Sequence, residues 1–208
     1  MSQEQLIIEG TLLPIVEEFY SIQGEGFHAG KAAYFVRLGG CDIACHFCDT
    51  KISWNSSIHP LVSVDEIIRR VLETPAKSVV VTGGEPALYN LTKLTSAIAH
   101  HKIEAFLETS GAYPISGFWK WICVSPKPWK IPLIENLFRA DELKVVIEQE
   151  SDFIWAEQMT KHVSQECKLF LQPEFSKFKT IVPHMVEFIK NNPKWNISVQ
   201  IHKFLDIP

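Results

Sequence analysis

The sequence predicts an α/β fold in which a parallel sheet closes only part of a barrel. Seven short apolar runs of strand length alternate with intervals that are mostly long enough for a helix, a pattern typical of right-handed β–α–β units. The interval between the third and fourth runs is short and contains Gly111, Pro114 and Gly117, so a crossover helix hardly fits there. We therefore expect a partial, abbreviated (β/α)6-type barrel that has lost some crossover helices.

The composition favours one well-buried domain over residues 1–208. The chain is 46% hydrophobic and contains no internal repeat, low-complexity segment or dividing linker. Its formal net charge of -4 predicts no general attraction to nucleic acid or anionic lipid. No apolar run approaches transmembrane length, and the first five residues lack the basic start of a signal peptide. We expect a cytoplasmic protein with neither a nucleic-acid nor a membrane partner.

The individual elements follow from local patterns. Apolar, β-branched runs predict the strands, and Ser63 with Glu66 forms a capping box that begins a helix. The predicted strands are 33–38, 78–82, 104–108, 121–124, 143–147, 168–171 and 197–201. The predicted helices cover 64–73 and 90–100 (capped by Asn90), start at Ser151, and lie around 182–190.

Polar residues follow five of these strands. The active sites of parallel α/β folds lie at the carboxyl ends of the strands. We therefore expect the five segments to converge on one site. They are the loop 39–50, Thr82 to Pro86, Glu108 to Ser110, Ser125 to Lys127, and Gln172 with Pro173.

The loop after the first strand carries three of the five cysteines. Cys41, Cys45 and Cys48 are spaced CxxxCxxC. Three thiolates can bind three irons of a 4Fe-4S cluster and leave the fourth iron without a protein ligand. A zinc site with His46 as the fourth ligand is the alternative left open by the spacing, and a disulfide is disfavoured in a cysteine-poor chain. The two remaining cysteines are expected to be packed or surface thiols.

The cysteine spacing and the Gly83–Pro86 run together resemble the radical S-adenosylmethionine (SAM) enzymes. Longer runs resemble the 7-carboxy-7-deazaguanine synthase family within that superfamily, over nearly the whole chain. Some members have a longer insertion between the first two cysteines, whereas this chain keeps the short spacing. The runs are Phe19 to Gly26, Phe35 to Cys41, Cys48 to Thr50, Glu108 to Gly111, Ser125 to Lys127 and Gln200 to Lys203.

The resemblance implies conversion of 6-carboxy-5,6,7,8-tetrahydropterin to 7-carboxy-7-deazaguanine with loss of ammonia, in the biosynthesis of 7-deazapurines such as queuosine. It implies a radical SAM barrel, a 4Fe-4S cluster, SAM and Mg2+, and a 5'-deoxyadenosyl radical that takes hydrogen from C6 of the pterin. It also implies an electron donor such as flavodoxin or ferredoxin, and a homodimer. The open alternatives are a glycyl-radical-enzyme activase and a non-catalytic iron–sulfur or zinc module.

Several residue roles are expected. Arg37 can bind a carboxylate through two parallel hydrogen bonds, and its apolar neighbours argue against a surface ion pair. By resemblance, Glu108 is the catalytic residue between the cofactor ribose and the pterin. Thr50 is likewise expected to bind Mg2+, although a threonine that caps the loop is the simpler interpretation of the residue alone. Phe47 is expected to pack on the adenine or to shield the cluster from water.

The remaining site residues are expected by position and resemblance. The C-terminal tail is predicted to dock through apolar side chains at 204, 205 and 207 and to present its terminal carboxylate to the pterin. The tryptophans are expected in the core or at a dimer surface, and for His202 a structural role stays open. Cofactor contacts are expected at Phe47, Cys48, Asp49, Gly84, Ser125, Pro126, Lys127, Gln172, Pro173, Glu174 and Phe175. Substrate contacts are expected at Ile22, Gln23, Gly24, Arg37, Thr82, His202 and Pro208.

Overall fold

A single nine-stranded sheet organises the chain in the computed structural model, which describes residues 2–208. The strands are β1 (Leu12–Ile22), β2 (Ala32–Leu38), β3 (Leu61–Ser63), β4 (Ser78–Gly83), β5 (Glu104–Thr109), β6 (Trp121–Val124), β7 (Glu142–Ile147), β8 (Lys168–Pro173) and β9 (Trp195–Ile197). Their order in the sheet is β3-β1-β2-β4-β5-β6-β7-β8-β9. The strands β3 and β9 are its two edges, so the barrel is left open.

Most of the sheet is parallel, as predicted. Strand β2 pairs in parallel with β4, and every following neighbour pair through β9 is also parallel. Strand β1 runs antiparallel to both β2 and β3. Within the described chain no helix connects β5 to β6. The prediction of an abbreviated barrel with a missing crossover helix is therefore confirmed.

Seven α-helices accompany the strands over residues 2–208. The predicted helix start at Ser63 is confirmed, because its hydroxyl accepts a hydrogen bond from the Glu66 backbone N–H at 3.2 Å. No helix of this part of the chain combines the length and the apolar character needed to cross a membrane. The helices are α1 (Gln3–Ile8), α2 (Val64–Leu72), α3 (Thr92–His100), α4 (Ile134–Arg139), α5 (Ser151–Met159), α6 (Phe178–Asn191) and α7 (Ile201–Leu205).

Most predicted boundaries lie within one or two residues of the structure, and three elements need comment. Helix α3 begins at Thr92, because the Asn90 side chain accepts the Thr92 N–H at 3.1 Å and so precedes the helix. Helix α6 begins at Phe178, four residues before the predicted start, and contains Pro183. The predicted strand 197–201 is wrong beyond Ile197.

The chain leaves the sheet just after β9. The Ser198 N–H still bonds to β8, since it donates to the Leu171 carbonyl at 2.8 Å. The Ile201 N–H then donates to the Gly24 carbonyl at 2.9 Å, and α7 starts at that point. The C-terminal segment is thereby tied to the turn that follows β1.

The two faces of the sheet have different roles. Successive residues of a strand point to opposite faces. In β4, Val79 and Val81 belong to the main core between the sheet and the helices, whereas Val80 belongs to a smaller cluster on the inner face. That cluster also contains Phe35 from β2 and Phe106 from β5. Two residues further along each strand, the same inner face carries the polar side chains of the candidate site.

Candidate active site

Two adjoining cavities lie at the carboxyl edge of the sheet, with volumes of about 250 Å3 and 150 Å3. The first is lined by the cysteine loop and by the ends of β4 to β8, and the second by the turn after β1 and the C-terminal tail. Seven residues line both: Glu25, Arg37, Asp49, Thr50, Thr82, Glu108 and Gln200. The five predicted polar segments therefore meet at one site.

Strand ends hold the cysteine loop in place. The Gly40 N–H donates to the Ser53 carbonyl at 2.6 Å, and the Glu85 N–H donates to the Gly40 carbonyl at 2.8 Å. A Cβ atom on Gly84 would lie only 2.2 Å from the Gly40 carbonyl oxygen. The backbone at Gly84 can approach the loop this closely only because glycine has no side chain.

The glutamate of the Gly-Gly-Glu-Pro run joins two strand ends. Glu85 is 1% exposed, and its carboxylate accepts hydrogen bonds from the Thr109 hydroxyl at 2.5 Å and from the Ser110 N–H at 2.9 Å. It also accepts the Ala87 N–H at 3.0 Å. Because Thr109 ends β5 and Ser110 follows it, this buried carboxylate fixes the loop after β4 against the next strand.

A buried lysine connects two carboxylates on the floor of the site. Lys144 of β7 is 4% exposed, and its Nζ donates to Glu25 Oε2 at 2.6 Å and to Glu108 Oε2 at 2.9 Å. The second oxygen of Glu108 accepts from the Gln23 amide at 3.2 Å. Both Glu108 oxygens are therefore held in one orientation.

The charges of Lys144 and Glu25 stay constant near neutral pH. Burial alone would raise the pKa of Glu25, but the Lys144 ammonium outweighs it and lowers that pKa to about 2. Burial would lower the pKa of Lys144, and the surrounding anionic groups, Glu108 and Glu25 among them, raise it instead. Lys144 and Glu25 are consequently both ionised.

Arg37 lies at the junction of the two cavities. Its Nε donates to Glu17 Oε1 at 2.6 Å, so the ion pair that its apolar neighbours argued against is present. The pair forms because β1, which the sequence did not predict, places Glu17 directly opposite Arg37. In the described chain the two terminal nitrogens of Arg37 have no hydrogen-bond partner. They remain able to bind a carboxylate from the cavity.

A buried lysine, Lys127, and a buried glutamine, Gln172, also line the first cavity. The Lys127 Nζ donates to the Ser125 carbonyl at 2.6 Å and to its hydroxyl at 2.8 Å. Burial lowers the pKa of Lys127. Gln172 of β8 is held by the Ser198 hydroxyl at 2.8 Å. These side chains are fixed by their own partners before any ligand binds.

Known proteins match this chain along nearly its whole length. The Radical SAM superfamily model matches residues 35–121. The 7-carboxy-7-deazaguanine synthase of Flavobacterium psychrophilum is 48% identical over 98% of this chain and 97% of that protein. The one from Synechocystis sp. is 40% identical over 93% of each. The chain belongs to the 7-carboxy-7-deazaguanine synthase family. The crystal structure of Escherichia coli QueE agrees, with a TM-score of 0.83 at 27% identity over 97% of this chain and 99% of that one.

Membership of the 7-carboxy-7-deazaguanine synthase family settles the choice between the functions weighed from sequence. The activase and the non-catalytic metal module are not favoured. The superfamily implies a 4Fe-4S cluster and SAM, and the cysteine loop fits such a cluster. Cys41, Cys45 and Cys48 all line the first cavity, and each would bind a different iron. His46 instead pairs with Glu148 at 2.9 Å on the surface, which argues against the Cys3His zinc site.

Nearly all residues predicted for the site line one of the two cavities. The exception is Pro126, which is buried and lines neither. The first cavity contains Cys41, Cys45, Cys48, Phe47, Gly84, Ser125, Lys127, Gln172, Pro173, Glu174 and Phe175. The second contains Ile22, Gln23, Gly24, His202 and Pro208. Arg37, Asp49, Thr50, Thr82 and Glu108 line both.

Two expectations about apolar residues were partly wrong. Trp195 is in the core at 1% exposure, as expected, but Trp54 lines the first cavity and Trp129 packs against Phe47 with ring centroids 6.0 Å apart. In the tail, Phe204 and Leu205 are 59% and 53% exposed. Hydrogen bonds and an ion pair attach the tail as well.

The sequence reasoning missed four charged or amide side chains of the site. Glu25, Lys144, Gln200 and Lys203 all line the first cavity. The signal for Lys144 was its place inside the otherwise apolar run 143–147. Since an unpaired charge is rarely buried, a lysine in such a run indicates a partner of opposite charge. The other three lie in a turn or in the tail, within runs that resemble the family, but neither their periodicity nor their neighbours assign them a role.

Proposed function

We propose that this protein converts 6-carboxy-5,6,7,8-tetrahydropterin to 7-carboxy-7-deazaguanine with release of ammonia, in 7-deazapurine biosynthesis of the queuosine type. The supporting observation is the wall shared by the two cavities. Arg37, Thr50 and Glu108 face both the cysteine side and the tail side, so a cofactor and a substrate can be held in contact. When bound, the cluster and SAM supply the radical that initiates the reaction.

The cofactor side is assigned to the first cavity. Cys41, Cys45 and Cys48 would hold the cluster, and Phe47 would cover it. The side chains beyond them are polar and already oriented, as SAM with its charged amino and carboxylate groups requires. Ser125, Lys127 and Gln172 supply these groups, since each is fixed by hydrogen bonds within the protein.

The substrate side is assigned to the second cavity. Arg37 would bind the pterin carboxylate through its two terminal nitrogens, while Glu17 holds Nε. Gln23, Thr82 and His202 would contact the polar edges of the ring, and the terminal carboxylate of Pro208 can accept two hydrogen bonds from the aminopyrimidine edge. A Cβ on Gly24 would lie 2.2 Å from His202 Nδ1, so the glycine permits this close approach.

Glu108 would orient the substrate at its reacting carbon. Its carboxylate is held by Lys144 and Gln23 and lines both cavities. A group fixed in this way keeps its position without reorganisation when the substrate binds, which favours accurate placement of the C6 hydrogen.

Thr50 would contribute its hydroxyl to a magnesium site shared with substrate oxygens. Mg2+ prefers oxygen ligands and retains several waters, so one protein ligand is sufficient. Thr50 precedes the short 3-10 helix Lys51–Trp54, but its hydroxyl makes no capping hydrogen bond there. The simpler interpretation, a capping threonine, is therefore not supported.

The expected partners complete the proposal. A one-electron donor such as flavodoxin or ferredoxin would reduce the cluster, and the protein would act in the cytoplasm as a single domain. A homodimer is supported by three exposed apolar side chains in and beside α4, at Ile131, Ile134 and Phe138. Sedimentation of the purified protein would measure the oligomeric state.

One anaerobic assay tests the proposed reaction. The reconstituted protein is mixed with the tetrahydropterin, SAM, a reductant and Mg2+, and the formation of 7-carboxy-7-deazaguanine and 5'-deoxyadenosine is measured. We expect turnover by the native chain and none by Cys45→Ala, which should also lose the visible absorption of the cluster. Cys167→Ala is the matched control, because that buried cysteine lies outside both cavities. A Cys45→Ala variant with full iron content and turnover would contradict the cluster assignment.

A further inference from the structure

The C-terminal segment is attached to the cysteine loop through a single carboxylate. Asp49, which lies between Cys48 and Thr50, accepts the Lys203 Nζ on Oδ1 at 2.7 Å and the Gln200 amide on Oδ2 at 3.0 Å. Both carboxylate oxygens are thus bound to the tail. Asp49 was expected to contact the cofactor, but its side chain has these other partners.

The same glutamine also reaches the floor of the site. The Gln200 Nε2 donates to Glu25 Oε1 at 2.9 Å, and the other Glu25 oxygen is held by the buried Lys144. Next to it, the Ile201 N–H donates to the Gly24 carbonyl. One end of α7 is therefore anchored to a rigid part of the fold, and its contact with the loop is made by Gln200 and Lys203.

Few other contacts hold α7 in position. The helix has five residues, a length at which an isolated helix is unstable in water. Phe204 packs on Phe178 with ring centroids 5.5 Å apart but remains mostly exposed. Lys203 also lies 4.3 Å above the Phe175 ring, which adds a cation–π contact. The polar contacts consequently determine where the tail lies.

We propose that Asp49, Gln200 and Lys203 form a latch that couples the cysteine loop to the substrate side of the site. The loop segment that carries Asp49 also carries Cys48 and Thr50, while the tail carries His202 and Pro208. When the cysteine loop is ordered, the Asp49 carboxylate is held where Gln200 and Lys203 can bind it. These contacts then order the tail that binds the substrate. Gln200 and Lys203 are thus positioning residues, and their role at the pterin rests on the proposed function.

The test uses the full-length protein before and after cluster reconstitution. Lys203→Met removes the ammonium but keeps the aliphatic stem, and Lys203→Arg restores the charge. Lys194→Met is the matched control, because Lys194 forms an ion pair with Glu157 at 2.7 Å, is 48% exposed and lies outside both cavities. Backbone hydrogen–deuterium exchange is measured over residues 199–208. Binding of the tetrahydropterin and of SAM is measured anaerobically without reductant, so that no turnover occurs.

We expect cluster loading to slow exchange of the tail in the native chain and in Lys203→Arg, but much less in Lys203→Met. The pterin Kd of Lys203→Met should rise about three- to tenfold, as for the loss of a partly buried ion pair with a cation–π contact. The SAM Kd should rise less than the pterin Kd, because the latch orders the tail that carries His202 and Pro208. The iron content should stay unchanged, and Lys194→Met should behave like the native chain. Gln200→Leu should reproduce the effect of Lys203→Met.

Two results would overturn the latch. One is a tail whose exchange does not respond to cluster loading in the native chain. The other is a Lys203→Met variant that weakens pterin and SAM binding equally, since that indicates a general structural role. A native chain that binds no pterin would instead contradict the proposed function, and the exchange measurement would still test the latch.

Discussion

Removing the Lys144 charge should destabilise the protein by leaving two carboxylates without their cation. In Lys144→Met the aliphatic stem is largely kept, but Glu25 and Glu108 lose donors at 2.6 Å and 2.9 Å. Removing one partner of a buried ion pair typically costs about 3–5 kcal/mol. Glu25 retains the Gln200 amide and Glu108 retains the Gln23 amide, so we expect the lower end of this range.

The pKa of Glu25 gives an independent magnitude. A folded-state value of about 2 against the ordinary 4.5 corresponds to about 3 kcal/mol of stabilisation, at about 1.4 kcal/mol per pKa unit. Because the folded pKa is lowered, this stabilisation is fully present above pH 4.5 and is lost as the pH falls towards 2. The penalty of Lys144→Met should therefore be largest near neutral pH and about 1 kcal/mol smaller at pH 4.

Urea unfolding of the reduced, cluster-free protein, followed by tryptophan fluorescence at pH 7 and pH 4, measures this penalty. Lys130→Met is the control, because Lys130 and Asp42 form an exposed pair at 3.0 Å with side-chain exposures of 36% and 51%. Its loss should change the free energy of unfolding far less than Lys144→Met does, because exposed ion pairs contribute little. Equal effects of the two substitutions, or a Lys144→Met penalty that grows as the pH falls, would refute this account of the buried network.

Three further substitutions and one C-terminal extension test the assigned roles. Thr50→Val should weaken the activation of turnover by Mg2+, and an unchanged Mg2+ dependence would exclude its hydroxyl as a ligand. Arg37→Lys should raise the KM for the pterin far more than the KM for SAM. The lost pterin-binding free energy should be at most the roughly 2–5 kcal/mol typical of buried charge pairs. Equal effects on the two KM values would indicate a structural role. Gly84→Ala should lower the iron content, because its Cβ would lie 2.2 Å from the Gly40 carbonyl oxygen. A few residues added after Pro208 should weaken pterin binding but not SAM binding, and native-like turnover would remove the terminal carboxylate from recognition.

The parallel part of the fold was predictable because its strands carry local signals. Strand β6 has the predicted bounds, and β4, β5, β7 and β8 differ from the predictions by one or two residues. Strand β1 carries a weaker signal, because Pro14 interrupts its apolar start. Along its 11 residues only Leu13, Pro14 and Ile15 are buried, and the rest of the strand is partly or fully exposed. This segment forms a strand because it pairs with β2. That pairing is a tertiary contact, which cannot be predicted from the local periodicity of the sequence.

The candidate site was predictable where the sequence places chemistry at strand ends or resembles a known family. The contacts that support the site were not predictable, because their partners are far apart in the chain. Lys144 and Glu25 are 119 positions apart, and Lys203 and Asp49 are 154 apart. Even for Lys144, whose place in an apolar run indicates burial, the local sequence does not identify the partner, and only the folded sheet brings the opposite charges together.

The core and the site depend on the same strand register. On the inner face, Arg37, Thr82 and Glu108 each follow an apolar residue of the inner cluster by two positions. The residues between them, Val36, Val81 and Leu107, are 0%, 0% and 1% exposed in the main core. Since side chains alternate between faces, a slip of one residue would bury the three polar side chains in that core and turn the apolar ones towards the cavity. The free energy that fixes the core therefore also fixes which side chains face the cavities, and the apolar pattern that predicts the fold restricts the position of the site.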